Sequence, residues 1–376
     1  MKKTGIICEY NPFHNGHMKQ LTPLESSVCL MSGNFVQRGE PAVMDKYIRA
    51  EAAVLSGASL VLELPVTCAL RSAEGFAAGG VDILNRLGCM DALCFGCESE
   101  KPEAIQKAAE LLLKPEFSPR LKEQLSKGIS FPAARQAALR QMGADASVLE
   151  KPNDILAVEY CKALLRSHSS MEPLMIRREG DYHSSTEKEN PSATSLRSME
   201  NWEGYVPDPA WEVFKTAPRY DIIKGERAWL ARLRAMPESE FEALPFGSEG
   251  LWRKVMGACR KQGSLDEIIE VSKSKRYTRT RIMRMLLCAL LGITEAMMEK
   301  PAPYVRVLAF DGKGQAILHE IRKTSEIPVI HAGDVPPDPE YGELERRASD
   351  LYGLFLADGI QSPGQERKAR VFRKNS

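Results

Sequence analysis

The chain has 376 residues, of which 43% are hydrophobic and 27% charged, and its formal net charge is +1. This composition is typical of globular proteins, and the length predicts two or three domains. No apolar run approaches the roughly 18 residues of a membrane helix. The near-neutral charge does not indicate a basic surface over the whole molecule, so the local distribution of charge has to indicate whether nucleic acid is a partner.

The N-terminus and the cysteines indicate a cytoplasmic protein. The apolar stretch behind the basic first residues ends at Glu9, which is shorter than the roughly 7–15 residues of a signal-peptide core. The nine cysteines are typical of reduced thiols in apolar positions. Cys94 and Cys97 have a zinc-ligand spacing, but no second pair stands nearby and Cys94 falls inside a predicted strand. We therefore expect no structural metal.

The first predicted strand, Gly5–Cys8, runs through a turn with Asn11-Pro12 into the motif His14-Asn15-Gly16-His17, where a helix begins. The first amides of a helix lack partners, and its dipole favours an anion such as phosphate. Two imidazoles three positions apart can donate to that phosphate and stabilise charge when an α-phosphorus is attacked. The alternatives are a metal-binding pair or two surface histidines. Because two of only six histidines fall in this window, the pattern favours a phosphate site.

Short apolar strands then alternate with helices. We predict strands at 28–31, 60–64, 91–95 and 173–178, and helices at 42–56 and 73–87 and through much of 101–166. This alternation predicts an α/β fold with a Rossmann-like, doubly wound parallel sheet. In such sheets ligands bind beyond the carboxyl ends of the strands. The unusual loops at 9–17, 33–41 and 96–98 all follow strands, which predicts one nucleotide site.

Further candidate side chains lie in these loops. Lys46 follows the second strand's loop and can reach the β- and γ-phosphates, although an exposed helical lysine is the alternative. Arg178 and Arg197 offer guanidinium groups suited to phosphate oxygens. Ser192 or Thr194 can cap a helix, and both hydroxyls can reach a phosphate.

The C-terminal half has a different pattern. Residues 203–219 are rich in Pro and Trp and are predicted to be a boundary or linker. Beyond them the chain is mainly helical, with one continuous apolar stripe in the helix over 278–291. A small α/β ending follows, with strands at 304–310 and 328–331. We therefore predict a nucleotide-binding domain at 1–200 and a helical domain at 201–376, with a disordered tail after about residue 367.

One segment of this half is strongly basic. Residues 273–284 carry six cations and no acid, and such charges repel one another unless phosphates neutralise them. Tyr277 can stack on an exposed base, and we expect it to share an exposed helix face with Arg281 and Arg284. A solvated helix face is the alternative. The predicted RNA-binding residues are Lys273, Lys275, Arg276, Tyr277, Arg279, Arg281 and Arg284.

The motif at 14–17 resembles the signature of the HIGH nucleotidyltransferase superfamily. The wider strings at 9–17, 32–41, 45–46, 61–65, 95–98, 275–281 and 305–310 resemble the bacterial tRNA(Met) cytidine acetate ligases along nearly the whole chain. The stretch from Ser192 to Arg197 resembles the second superfamily signature only in part, because Pro191 and Ala193 replace the usual Ile and Ser. Cys8 and Cys97 stand where the family usually has Val and Ser.

The resemblance implies a two-step reaction. Acetate attacks the α-phosphorus of ATP to give acetyl-adenylate and pyrophosphate, and the wobble cytidine of elongator tRNA(Met) then takes the acetyl group to give N4-acetylcytidine. His14, His17 and Lys46 would be catalytic, Mg2+ would accompany ATP, and the helical domain would hold the tRNA. The predicted ATP-binding residues are Ile7, Cys8, Glu9, Tyr10, Asn11, Pro12, Phe13, His14, Asn15, Gly16, His17, Met18, Lys19, Gln20, Gly96, Asn153, Arg178, Ser192, Thr194 and Arg197.

Two other functions remain open at this point. One is a small-molecule adenylyltransferase of the same superfamily, which would not need the basic segment or the long helical domain. The other is a non-catalytic RNA-binding protein with a vestigial nucleotide fold, which would not need the histidine pair.

Overall fold

A computed structural model describes residues 1–177 and 191–374 of the chain. The strands are β1 (Lys3–Cys8), β2 (Ser26–Ser32), β3 (Phe35–Val36), β4 (Glu40–Pro41), β5 (Leu60–Leu64), β6 (Ala92–Cys97), β7 (Glu172–Arg177), β8 (Val305–Phe310), β9 (Val329–Ile330) and β10 (Phe372–Arg373).

The helices of the first half are α1 (Asn15–Leu21), α2 (Lys46–Leu55), α3 (Val66–Ala69), α4 (Ala73–Arg86), α5 (Pro102–Leu113), α6 (Phe117–Ser126), α7 (Phe131–Gln141), α8 (Pro152–Arg166) and α9 (Ala193–Arg197). Those of the second half are α10 (Asp208–Phe214), α11 (Ile222–Ala235), α12 (Glu238–Glu242), α13 (Leu251–Cys259), α14 (Leu265–Ser272), α15 (Arg279–Leu291), α16 (Glu295–Glu299), α17 (Gly312–Thr324), α18 (Pro339–Tyr352) and α19 (Gln365–Lys368). Single 3₁₀ turns lie at Ala146–Leu149 and Gly353–Phe355.

The predicted doubly wound parallel sheet is confirmed. Its parallel part has the strand order β5-β2-β1-β6-β7. The chain moves outward from β1 in one direction through β2 and β5, and then returns to the other side of β1 with β6. Strand order therefore reverses between β1 and β6, and the carboxyl end of this crevice is where such sheets bind ligands.

The apolar strands are buried on both faces, because helices cover each side of the sheet. Neighbouring residues of β1 point to opposite cores: Ile7 packs with Val28 and Leu30, whereas Ile6 packs with Cys29 and Met31. Successive side chains of a strand point to opposite faces of the sheet, and here each face is covered by its own hydrophobic core. It explains why the strands are continuous apolar runs in the sequence.

The C-terminal α/β part extends the first sheet. β8 pairs antiparallel with β5, and both β9 and β10 pair parallel with β8. The expectation of a disordered tail is wrong for residues 367–373, because they include the end of α19, which packs against α18, and β10, which joins the sheet.

The expectation of a linker at 203–219 is also wrong. This segment contains α10, which packs against α2. Its Phe214 and the preceding Trp202 are buried and meet edge to face, with ring centroids 5.8 Å apart. A few large aromatic side chains provide most of the buried surface of this segment. Because they do not recur at a helical period, the sequence pattern did not predict that the segment packs.

α15 packs against α11, α14, α18 and β4. Its Leu286 carbonyl accepts a hydrogen bond from Trp229 Nε1 of α11 at 2.8 Å. Every residue of α15 from 282 to 291 is buried, so this helix is covered on all sides. Among the described residues, none of the helices is both long enough and apolar enough to cross a bilayer.

Candidate active site

The turn between β1 and α1 is held by aromatic packing. Tyr10 has a φ of +46°, in the left-handed region that costs a non-glycine residue roughly 1–2 kcal/mol. It is 1% exposed, and its ring centroid lies 4.8 Å from that of Phe13 and 4.9 Å from that of His17. This burial holds the strained turn, and the turn directs the chain into α1.

His14 and His17 cap the start of α1 reciprocally. His14 Nδ1 accepts from the Gly16 amide at 3.0 Å, and His17 Nδ1 accepts from the His14 amide at 3.2 Å. A nitrogen that accepts a hydrogen bond carries no proton, so each neutral ring carries its proton on Nε2. The ring centroids are 3.9 Å apart. The cap therefore fixes the tautomer of both histidines and makes both Nε2 atoms donors.

Gly16 is required by the position of His14. A Cβ at Gly16 would lie 2.8 Å from His14 Cε1 and 3.0 Å from Nδ1. The imidazole thus folds over the backbone of the first helical turn, which only glycine permits.

The other predicted ATP contacts of this stretch differ in exposure. Ile7, Pro12 and Phe13 are buried, so they contribute packing and backbone geometry. Met18 is half-buried and Lys19 is exposed on α1. Gln20 donates from Nε2 to the Cys94 carbonyl at 3.3 Å, which ties α1 to β6 across the crevice.

A fully buried arginine that sequence reasoning missed ties the carboxyl ends of β1 and β2 together. Arg49 donates to the carbonyls of Glu9, Ser32, Gly33 and Met44. Burial lowers the pKa of this guanidinium from its ordinary value. In the sequence Arg49 looks like an ordinary helical arginine, because most of the carbonyls that it binds belong to other elements.

The loop after β2 contacts the first turn and the helical part. Glu9 Oε1 accepts from the Gln37 amide at 2.7 Å, and burial raises the pKa of Glu9. The loop then forms the β3–β4 hairpin. Gly39, with a φ of +84°, lies against the backbone of α15, where a Cβ would be 2.7 Å from the Arg284 nitrogen. The loop therefore links the first turn to the helical part.

On the other side of the crevice, Gly96 lies in β6 and the loop after it is clamped to α8. Glu98 Oε1 accepts from the Asn153 amide and side chain, while Asp154 Oδ1 accepts from the Glu98 amide at 2.7 Å. The structure thus brings Asn153 to the end of β6. The predicted ATP contact Arg178 lies outside the described residues.

The partial second signature lies next to the first turn. Ser192 caps α9 by accepting from the Ser195 amide at 3.2 Å. Arg197 donates to the Asn11 carbonyl at 2.9 Å and to Thr194 Oγ1 at 3.2 Å. Asn15 in turn donates to the Tyr205 carbonyl at 3.1 Å. The structure therefore brings the segment 192–205 onto the histidine motif, as the prediction of one phosphate site requires.

Lys46 lies in a cluster of buried charges. Its Nζ is 2.7 Å from Glu63 Oε1, 2.8 Å from Glu63 Oε2 and 2.9 Å from Glu366 Oε2. The three ammonium protons therefore face carboxylates. Arg306 completes the cluster at 3.0 Å from Glu366 and 2.7 Å from Glu345. We call Lys46, Glu63, Arg306, Glu345 and Glu366 the buried charge cluster.

The buried charge cluster holds two cations and three carboxyls. Burial, together with Glu345 and Glu366, raises the pKa of Glu63 to about 7. Burial alone would lower the pKa of Lys46, but Glu366 and Glu63 outweigh it and raise that pKa. A cavity of about 20 Å³ beside Gly33 and Glu63 has room for one water molecule.

The predicted RNA segment is largely paired within the protein. Arg279 lies 2.7 Å from Asp266, Lys273 lies 3.1 Å from Glu270, and Arg281 lies 3.2 Å from Glu249. The Tyr277 hydroxyl donates to the Glu249 carbonyl at 2.6 Å. These acids come from neighbouring elements, so the sequence of the segment did not reveal them.

The expectation that Arg284 shares an exposed face with Tyr277 is wrong. Arg284 is 8% exposed, and its guanidinium lies 5.1 Å from the centre of the Phe246 ring. Burial lowers its pKa to about 10. The reason is that neighbouring helices and the β3–β4 hairpin cover α15 around Arg284. Lys275 and Arg276 are the exposed cations of the segment for which the described residues provide no ion pair.

No three histidine, cysteine or acidic side chains within residues 1–177 and 191–374 lie close enough together to hold a metal ion. The carboxylates near the histidine motif already accept hydrogen bonds from backbone amides. The nine cysteines are free thiols.

A strand-order reversal beside a pair of histidines at a helix N-terminus is the arrangement expected of a nucleotidyltransferase of the HIGH type. The model of the family described as HIGH Nucleotidyl Transferase matches residues 1–367. The "tRNA(Met) cytidine acetate ligase" of Acetivibrio thermocellus is 36% identical, over 97% of this chain and 98% of that protein. The protein of the same name from Caldanaerobacter subterraneus subsp. tengcongensis is 39% identical, over 88% of each chain. The chain belongs to the tRNA(Met) cytidine acetate ligase family.

Solved structures agree with this assignment. The crystal structure of Thermotoga maritima TmcAL bound with alpha-thio ATP superposes with a TM-score of 0.89 and is 31% identical, with all of both chains covered. The apo structure of the same protein gives a TM-score of 0.91 with the same identity and coverage.

Proposed function

We propose that the protein activates acetate with ATP and transfers the acetyl group to N4 of the wobble cytidine of elongator tRNA(Met). The reciprocal cap of His14 and His17 is the observation that carries this proposal, because it fixes both imidazoles at the start of α1 with their Nε2 atoms as the protonated nitrogens. Membership of the family and the nucleotide named for the Thermotoga maritima structure support the choice of ATP.

In the first step an acetate oxygen attacks the α-phosphorus, a new P–O bond forms, and the bond to the pyrophosphate breaks. Negative charge grows on the phosphoryl oxygens, and the Nε2–H groups of His14 and His17 donate to them. The first amides of α1 and the buried Arg49 add positive potential at the same end of the sheet. The reaction needs no protein nucleophile, because acetate itself is the nucleophile.

In this reaction we expect Mg2+ to bind together with ATP. The described residues around the histidine motif provide no carboxylate cage, and Mg2+ is commonly held by substrate phosphates and water with few protein ligands. When bound, the ion would neutralise charge on the triphosphate. Residues of the chain would then orient the α-phosphate.

Lys46 stays in the proposal as a phosphate-binding cation. Its three protons face Glu63 and Glu366, so a contact with the β- and γ-phosphates requires phosphate to replace Glu366 as its partner. Its backbone amide already donates to Asn34 Oδ1 at 2.8 Å, which fixes the start of α2 at the end of the loop after β2.

In the second step the cytidine N4 attacks the acetyl carbon, the C–O bond to AMP breaks, and a proton leaves N4. We propose that residues 1–200 perform the chemistry and that residues 201–376 hold the tRNA, with Lys275 and Arg276 exposed for it. This is a division of roles within one folded unit, since β8 belongs to the sheet of the first part.

The test is ATP- and tRNA-dependent incorporation of labelled acetate by the wild type and by His14→Asn. Asparagine still caps a helix, so the variant separates the loss of the imidazole donor from the loss of the fold. We expect acetylated cytidine from the wild type and a decrease of about 10²–10³-fold in the variant.

Two results would contradict the proposal. Pyrophosphate release that depends on a phosphorylated metabolite and not on acetate would indicate a small-molecule adenylyltransferase. Tight tRNA binding without any turnover of ATP would indicate a non-catalytic RNA-binding protein.

A further inference from the structure

We propose that tRNA phosphates bind mainly on one face of α13 that sequence reasoning did not identify. We call this surface the α13 face; it consists of Arg253 and Lys254 in α13 and of Arg260 and Lys261 in the turn that follows the helix. The inference rests on the proposed function, because it assigns the surface that receives the tRNA of that reaction. It places the main electrostatic contact with tRNA at α13, whereas the sequence predicted that contact in the segment 273–284.

The α13 face follows from helical geometry. The stretch 251–262 contains four cations and no acid. At about 100° per residue, Arg253 and Lys254 lie on one side of α13, and the same rotation continued into the turn after Cys259 places Arg260 and Lys261 on that side too. The opposite side is buried in the core of the helical part. Its buried residues are Leu251, Trp252, Val255, Ala258 and Cys259.

The four cations of the α13 face are exposed, and none of them forms an ion pair with a carboxylate in the described part of the chain. The segment 273–284 differs in this respect. There, Arg279 and Lys273 each face an acid within 3.1 Å, and Arg281 faces Glu249. A cation that is already paired with a carboxylate contributes little binding free energy when a phosphate arrives. Unpaired neighbouring cations repel one another, and a bound phosphate reduces that repulsion.

The surface around these cations is open. A Cβ built at Gly257, in the middle of the face, meets no atom within 4 Å. The absence of a side chain there lets a phosphate backbone lie close to the helix. The Arg253 guanidinium lies 4.6 Å from the centre of the Trp252 ring, and this contact restricts the orientation of the guanidinium.

The α13 face is continuous with the exposed part of the predicted segment. Lys254 Nζ donates to the Lys273 carbonyl at 3.4 Å, and Arg234 donates to the Gln262 carbonyl at 3.2 Å. The first contact joins α13 to the loop that carries Lys275 and Arg276. Together these exposed cations form one basic strip, and RNA is the polyanion that the proposed reaction requires.

The experiment compares two variants that remove the same charge. One is Lys254→Gln with Lys261→Gln on the α13 face, and the other is Lys273→Gln with Arg279→Gln in the paired segment. The dissociation constant for elongator tRNA(Met) is measured at several salt concentrations. Circular dichroism melting verifies that both variants fold, and Lys254→Arg with Lys261→Arg tests rescue by retained charge.

We expect the α13 variant to weaken binding by about tenfold or more, and to reduce the slope of log Kd against log salt by roughly 1.4–1.8 for two lost phosphate contacts. The paired-segment variant should change both quantities much less, and the arginine variant should restore them. Equal effects of the two glutamine variants, or a larger effect in the paired segment, would overturn the inference while the proposed function stands. A wild type that neither binds nor acetylates the tRNA would overturn both.

A DNA duplex of matched length separates RNA recognition from general polyanion binding. If the wild type binds this DNA as tightly as tRNA, and if the α13 variant loses both equally, the assignment of the face to tRNA is wrong. We expect the tRNA to bind more tightly.

Discussion

Lys46 Nζ lies 2.9 Å from Glu366 Oε2, although 320 residues separate the two in the chain. Lys46 opens the helix that follows the loop after β2, whereas Glu366 comes from the last helix. The same glutamate lies 3.0 Å from Arg306 in β8. The end of the chain is therefore part of the candidate site, and the charge of Lys46 is set by residues from both halves.

Removing Lys46 should destabilise the protein through the carboxylates that it leaves behind. Lys46→Met removes the cation from Glu63 and Glu366, and breaking a buried ion pair in this way typically costs about 3–5 kcal/mol. The free energy of unfolding from urea denaturation measures the effect. Lys46→Met combined with Glu366→Gln should recover part of the loss. Lys215→Met, which breaks an exposed pair with Glu212, should change the stability by less than about 1 kcal/mol.

The titration of Glu63 should lower the free energy of unfolding as the pH rises. Burial raises its pKa from 4.5 to about 7 in the folded protein, so the folded state binds the proton more tightly than the unfolded state does. The stabilisation is complete below about pH 4.5 and is lost as the pH rises through about 7. Urea denaturation between pH 5 and 8 should show this decrease, and Glu63→Gln should remove most of it. An unchanged slope in Glu63→Gln would contradict the assignment; Glu172→Gln, at an exposed pair with Lys2, is the control.

Gly16→Ala should reduce activity without unfolding the protein. The added Cβ would lie 2.8 Å from His14 Cε1, so the imidazole must move and its bond to the Gly16 amide is lost. A displacement near 1 Å in a catalytic group costs about 10²-fold in rate, which acetate-dependent exchange of pyrophosphate into ATP can measure. Gly312→Ala is the matched control, because its Cβ meets nothing within 4 Å. Full activity in Gly16→Ala would show that the position of His14 does not matter.

Arg284→Met should preserve tRNA binding. The guanidinium is buried, its Nε has no hydrogen-bond partner in the described part of the chain, and burial lowers its pKa to about 10. Replacing a poorly compensated buried charge with an apolar side chain of similar size is often neutral or stabilising by about 1–4 kcal/mol. Thermal melting and tRNA titration measure both quantities. Arg276→Met removes the same charge from an exposed position and should weaken tRNA binding. A larger loss of tRNA binding in Arg284→Met than in Arg276→Met would show that Arg284 contacts the RNA.

The local features of the fold could be predicted from the sequence. β5 was predicted at 60–64, which are its observed bounds, because an apolar run ends there at a proline. The histidine pair could be found because a strand, a turn and a helix start follow one another within 17 residues. These features depend on neighbours in the chain, and a sequence displays such neighbours directly.

The features that depend on distant residues could not be predicted. Arg49 reads as a helical arginine until the ends of β1 and β2 are placed around it. The pairing of Arg279 with Asp266 depends on how α14 packs against α15. Glu366 directly precedes the charged tail that was predicted to be disordered, and its partners Lys46 and Arg306 lie far away in the sequence. In each case the partner is fixed by tertiary contacts, and no periodicity reveals it.

The antiparallel pairing of β5 with β8 has a consequence for synthesis on the ribosome. β5 ends at Leu64 and β8 ends at Phe310, 246 residues later. At about 5–20 residues per second, the nascent chain displays an unpaired apolar sheet edge for roughly 10–50 s. Exposed edges of this kind recruit other strands. Newly made chains should therefore depend on chaperones until translation is nearly complete, and any messenger truncated before β8 would yield an aggregation-prone product.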